Sequence, residues 1–76
     1  MYAVHIWVNE SGISVPQRLL DIYKTDLQAY TAAWQELLHL DEHYFAEVTN
    51  LQTRQVVETI CYDQVRTVNH PFVKSV

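Results

Sequence analysis

Glycine and proline, the residues that most often mark loops and linkers, are scarce in this sequence. One Gly and two Pro occur in 76 residues, while apolar residues make up 49% of the chain and charged residues 18%. A disordered or linker-like chain would be poorer in apolar residues. We therefore expect a single domain over residues 1–76, with no internal repeat, in which a tail at 69–76 either frays or forms a covering strand.

Cysteine is also scarce. Cys61 is the only one, which excludes an internal disulfide framework and an all-cysteine zinc site, and it fits a reducing compartment. Met1 leads directly into YAVHIWV, without a basic n-region, a small-residue cleavage site or an apolar run near 20 residues. We expect no signal peptide, no membrane span and a cytoplasmic location.

Positive charge is the third scarcity. Five Lys and Arg stand against nine Asp and Glu, for a formal net charge of −4. They are scattered along the chain, at Arg18, Lys24, Arg54, Arg66 and Lys74. Non-specific nucleic-acid binding depends on clustered cations that neutralise phosphates. The charge pattern therefore argues against nucleic acid as the partner.

Residues 25–40, TDLQAYTAAWQELLHL, have the pattern, cap and length of a helix. Their apolar positions recur at steps of three and four, which predicts one buried stripe made of Leu27, Tyr30, Trp34, Leu37 and Leu38. Thr25 followed three residues later by Gln28 predicts a capping box, and Asp26 complements the positive end of the helix dipole. We expect the stripe to pack on a sheet.

Alternation predicts a strand at residues 2–8. Tyr2, Val4, Ile6 and Val8 fall on one side of it, and Ala3, His5 and Trp7 on the other. The chain should fold back at residues 9–12, where Gly12 can adopt a positive φ. Residues 13–24 fit either a strand or an N-terminal extension of the helix. The Thr25 cap favours a strand at about 17–24, with Pro16 at a sheet edge or a bulge.

Two more strands are predicted after the helix. The first covers residues 44–49, where the alternation stops at Asn50, and a loop of four or five residues follows. The second covers residues 55–63 and could extend to about Val68; it lacks a polar face, so we expect apolar neighbours on both of its sides.

The predicted order is β-β-α-β-β, an α+β fold with one amphipathic helix packed on one face of a mostly antiparallel four-stranded sheet. Short loops on both sides of the helix make the second and third strands parallel to each other. In an antiparallel sheet, another strand must then lie between the second and the third. This leaves the sheet orders 2-1-3-4 and 1-2-4-3 open.

The strongest candidate for a metal site is His39-Leu40-Asp41-Glu42-His43, with two imidazoles four residues apart. It lies where the helix should end, and no third ligand is evident, so solvated histidines are the preferred interpretation. Cys61 has Ile60, Tyr62 and Asp63 as neighbours rather than cations, which favours a packed mid-strand thiol over a nucleophile. We expect no catalytic residues, no cofactor, no metal and no enzymatic activity.

What remains is a surface for binding another molecule. If the strand faces that carry Val4, Ile6, Ala46 and Val48 meet the helix, Trp7 and Phe45 point the other way, where a monomer would expose them. We therefore expect an interaction or self-association domain, most simply a homodimer, with His5, Trp7, Phe45 and Tyr62 as interface candidates. The alternative is a nucleic-acid-associated domain that stacks bases on these aromatic residues.

Overall fold

The computed structural model describes residues 1–66 of the chain, and a four-stranded antiparallel sheet of order β2-β1-β3-β4 forms its centre. The elements are β1 Tyr2–Glu10, β2 Ile13–Tyr23, α1 Asp26–Leu37, β3 Tyr44–Asn50, β4 Gln55–Cys61 and α2 Tyr62–Arg66. The predicted α+β class and β-β-α-β-β order are confirmed, and one of the two predicted sheet orders is the observed one. The predicted tail at 69–76 lies outside the described residues.

The turn between β1 and β2 depends on two residues with positive φ, Ser11 at 52° and Gly12 at 82°. Such φ values at both central positions belong to the tight hairpin turn whose twist matches that of the flanking strands. The two strands remain paired from Tyr2 with Tyr23 to Glu10 with Ile13. Residues 13–23 are therefore a strand, as preferred, and it begins earlier than predicted.

β2 lies at an edge of the sheet and contains Pro16. Its register with β1 shifts twice, once between Val4 and His5 and once between Ile6 and Trp7. Proline has no N–H for a strand ladder, so an edge strand with bulges can accommodate it. The predicted position of Pro16 is confirmed.

The start of α1 follows the predicted cap. Thr25 has an extended backbone, its hydroxyl oxygen accepts from the backbone N–H of Gln28 at 3.1 Å, and the Gln28 side chain accepts from the Thr25 N–H at 3.3 Å. The helix ends at Leu37, three residues before the predicted end, because the next N–H groups turn toward nearer carbonyls. The backbone N–H of His39 donates to the carbonyl oxygen of Glu36 and that of Leu40 to the carbonyl oxygen of Leu37, each at a distance of 3.0 Å.

The buried face of α1 differs from the predicted stripe. Tyr30 packs against the core and Trp34 and Leu37 are buried, but Leu27 and Leu38 are 55% and 51% exposed. The fully buried positions include Ala29 and Ala33. The helix is therefore rotated so that Ala29, Ala33 and Leu37 lie in the middle of its buried face, and Leu27 and Leu38 lie on its flanks.

The core fills the space between the helices and one sheet face. It contains Val4, Ile6, Ala29, Ala33, Trp34, Leu37, Ala46, Val48, Ile60 and Val65. α1 contacts all four strands, and α2 contacts β4 and α1, so both helices lie on the same side of the sheet. The predicted inward side chains of β1 and β3 are confirmed.

The end of the described chain departs from the prediction. β4 stops at Cys61 and residues 62–66 are helical, so the strand does not continue through Tyr62 and Asp63. Apolar neighbours on both faces of β4 were also wrongly predicted, because β4 is an edge strand and Ile60 is its only buried residue. Cys61 is exposed rather than packed.

Candidate interaction surface

One face of the sheet carries neither of the helices found in residues 1–66. Strand register places three rows of residues, each crossing all four strands, on this side of the sheet, and we call these rows the outer sheet face. They are Ala3, His5 and Trp7 of β1, Phe45, Glu47 and Thr49 of β3, Pro16, Leu19 and Ile22 of β2, and Val56, Thr59 and Cys61 of β4. The alternating residues Ile6, Ala46 and Ile60 lie in the core, which agrees with this assignment, while Ala3 on the outer sheet face is 2% exposed but lies outside that core.

Two aromatic rings lie side by side on this face. Trp7 and Phe45 are register partners, and their ring centroids are 6.0 Å apart with an interplanar angle of 11°. This offset stacked arrangement is a favourable one for aromatic pairs. Both rings are half-buried, and the Nε1 atom of Trp7 is shielded from solvent without a hydrogen-bond partner in the described part of the chain. The pair forms an apolar platform on this face.

Exposed aliphatic side chains lie on both edge strands of this face, Leu19 one row from the aromatic pair and Ile22 and Val56 two rows from it. Leu19 is 49% exposed, Ile22 44% and Val56 49%. Single exposed apolar residues are ordinary on soluble proteins, but a contiguous group of them marks an interaction site. Here the group shares one face with a stacked aromatic pair.

The only ionisable side chains on β1 and β3 within this face are those of His5 and Glu47. They are register partners at the centre of the face, and both are half-buried. Opposite positions on one face of an antiparallel pair have Cβ atoms about 5 Å apart. The outer sheet face therefore has a polar centre surrounded mainly by apolar residues.

The structure places three of the four predicted interface residues, His5, Trp7 and Phe45, in neighbouring rows of one face. Tyr62 lies at its border, where it lines a shallow depression together with Phe45 and Cys61. The three residues of β2 and Val56 of β4 were missed by the sequence analysis. For Leu19 and Val56, register shifts in the β1–β2 and β3–β4 pairs break the alternation that would have revealed them.

The histidines considered as metal ligands, His39 and His43, both follow the end of α1 at Leu37, so no helical turn brings them onto one face. The backbone N–H and the ring Nδ1 of His43 lie 2.9 Å and 3.0 Å from Asp41 Oδ1. The hydrogen bond from the backbone N–H has the largest effect and that of the ring the next largest, and together they lower the pKa of the Asp41 carboxyl below its ordinary value. Within residues 1–66, no three His, Cys, Asp or Glu side chains form a metal-binding group.

Comparisons with protein-family models, with curated proteins and with solved structures give no match. Among the helices of residues 1–66, none is long and apolar enough to cross a lipid bilayer.

Proposed function

We propose that this protein is a non-enzymatic interaction module that associates with a second copy of itself through the outer sheet face. The observation that carries the proposal is the outer sheet face, where the Trp7–Phe45 stack shares one side of the sheet with the exposed side chains of Leu19, Ile22 and Val56 and where no described element packs. Burying this face against an identical one removes apolar surface from water in both copies. A cytoplasmic setting would keep the exposed Cys61 thiol reduced.

The size of the chain supports the same proposal. A domain of 76 residues buries only about 60% of the surface of its unfolded chain, which leaves a narrow margin of stability. Association adds buried area without lengthening the chain. Pairing through the edge of β2 is disfavoured by Pro16 and two bulges, whereas the outer sheet face has no such obstacle.

Sedimentation equilibrium at micromolar concentrations tests the proposal. We expect the average mass of the unmodified protein to rise from that of a monomer toward that of a dimer as the concentration increases, and the mass of Trp7→Asp and Leu19→Asp, which place a carboxylate in the interface, to stay monomeric. Leu27→Asp is the matched control, because it makes the same change at an exposed leucine on α1 and should leave the dimer intact. Circular dichroism verifies that each variant folds. If Trp7→Asp does not fold, Leu19→Asp still provides the test.

A monomeric mass that persists as the concentration rises would overturn the proposal. So would tight binding of a single-stranded oligonucleotide whose affinity falls steeply with salt, because that dependence is the signature of phosphate neutralisation. Arg18 is the only Lys or Arg on strands β1 to β4. It forms an ion pair with Glu36 of α1 on the helix side of the sheet, so it is not on the outer sheet face.

A further inference from the structure

The outer sheet face has a charge arrangement that can complement itself. His5 on β1 and Glu47 on β3 occupy the same row, with Trp7 and Phe45 in the next row on one side and Ala3 and Thr49 in the row on the other. β1 and β3 are the two central strands of the sheet. The polar pair therefore straddles the midline of the face, with one partner on either side of it.

Two aligned arrangements can bring two such faces together with two-fold symmetry. In the first, the axis runs parallel to the strands and midway between β1 and β3. β1 of each copy then faces β3 of the other, and each row faces the same row. In the second, the axis runs across the strands at the His5–Glu47 row. Each strand then faces its own copy.

The two arrangements differ most at the polar row. With the axis parallel to the strands, His5 of each copy faces Glu47 of the other, and an imidazole N–H can donate to a carboxylate whether or not the ring is charged. With the axis across the strands, Glu47 faces Glu47 and His5 faces His5. Like charges placed opposite each other in an interface are unfavourable.

We propose that the dimer axis runs parallel to the strands, midway between β1 and β3, so that His5 of each copy pairs with Glu47 of the other. This inference rests on the proposed function. The same arrangement places Trp7 over Phe45 of the second copy and joins the two aromatic stacks into one cluster. It also places Ile22 over Val56, so exposed aliphatic side chains at opposite sheet edges cover each other.

The dimensions of the face set the expected strength of the contact. Four strands spaced by about 4.8 Å, with the central pair β1 and β3 aligned over about seven residues, give a face of roughly 19 by 23 Å. This is about 440 Å² from each copy, less than the roughly 800 Å² per partner of a standard interface and in the range of weak, transient complexes. The dimer should therefore dissociate measurably within the concentration range of a sedimentation experiment, so that changes in its dissociation constant can be read directly.

The test is a charge exchange followed by sedimentation equilibrium. In the His5→Glu variant, the new carboxylate of each copy faces Glu47 of the other copy, so two carboxylate pairs oppose each other across the interface. We expect the dimer to weaken by about tenfold or more. The double variant His5→Glu, Glu47→Lys exchanges the two charges. With the axis parallel to the strands, each Glu then faces a Lys, and the dimer should return to roughly the original affinity.

The double variant distinguishes the two axes, because an axis across the strands would place Glu over Glu and Lys over Lys. Loss of dimerisation in this variant, with the unmodified protein dimeric, would overturn the proposed axis and leave the proposed function standing. A monomeric unmodified protein would instead remove the proposed function itself. Glu10→Lys, an exposed change near the hairpin turn and outside the outer sheet face, is the matched control and should dimerise normally.

Discussion

At the scale of single residues, the two aromatic side chains of α1 that pack against the core, Tyr30 and Trp34, each bring a polar group with them. Burial, followed by the negative charge of Glu58, raises the pKa of the Tyr30 phenol above its ordinary value, so this ring remains neutral against the core. The Trp34 ring, with its centroid 5.7 Å from that of Tyr30, has an indole N–H that is buried without a partner among residues 1–66. An unpaired buried donor costs about 1–3 kcal/mol, which the packing of a large ring must offset.

The Thr25 cap gives a prediction at this scale. Thr25→Ala removes the acceptor of the Gln28 N–H and should lower the free energy of unfolding by about 1 kcal/mol. Thr25→Ser, which keeps the hydroxyl, is the matched control and should remain close to the unmodified protein. Urea denaturation followed by circular dichroism measures both. An unchanged midpoint for Thr25→Ala would mean that the capping box contributes nothing to stability.

At the scale of elements, the orientation of α1 decides which residues stabilise the fold. The helix is twelve residues long and turns Ala29, Ala33, Trp34 and Leu37 toward the sheet. Hydrophobicity alone would give Leu27 and Trp34 similar roles. Their exposed fractions, 55% and 4%, show that only the tryptophan side chain is buried.

This difference can be measured with a pair of substitutions. Trp34→Ala deletes a large buried side chain and should cost about 3–5 kcal/mol, enough to unfold so small a domain in water. Leu27→Ala, on the same helix, should change the free energy of unfolding by no more than about 0.5 kcal/mol. Denaturant titrations of the two variants provide the test. Equal costs for both would contradict the observed orientation of the helix.

At the scale of the whole molecule, the sheet has a helical layer on one side and the outer sheet face on the other. If the dimer forms through that face, folding and association are linked, because only folded chains present it. The thermal midpoint Tm of the unmodified protein should then rise with protein concentration. The Trp7→Asp variant should unfold at a Tm that does not depend on concentration. A constant Tm for the unmodified protein would contradict linkage between folding and association.

The local elements of this protein follow from its sequence, because their causes act over a few residues. The alternation of β1 and β3, the Thr25–Gln28 capping box and the turn at Gly12 each involve neighbours along the chain, and the structure contains all of them. The β-β-α-β-β order and two admissible sheet orders followed from these elements and from the short connections between them.

Only the tertiary structure decided which strands lie at the edges, which face of α1 is buried and which residues share the outer sheet face. β4 is apolar in sequence but exposed, because the order β2-β1-β3-β4 puts it at an edge where the helices cover only Ile60. Leu19 shares the outer sheet face with Trp7 and His5 only because the β1–β2 register shifts between Ile6 and Trp7. A register depends on contacts between residues distant in sequence, and a one-residue slip moves a side chain to the opposite face of the sheet, so local patterns could not fix it.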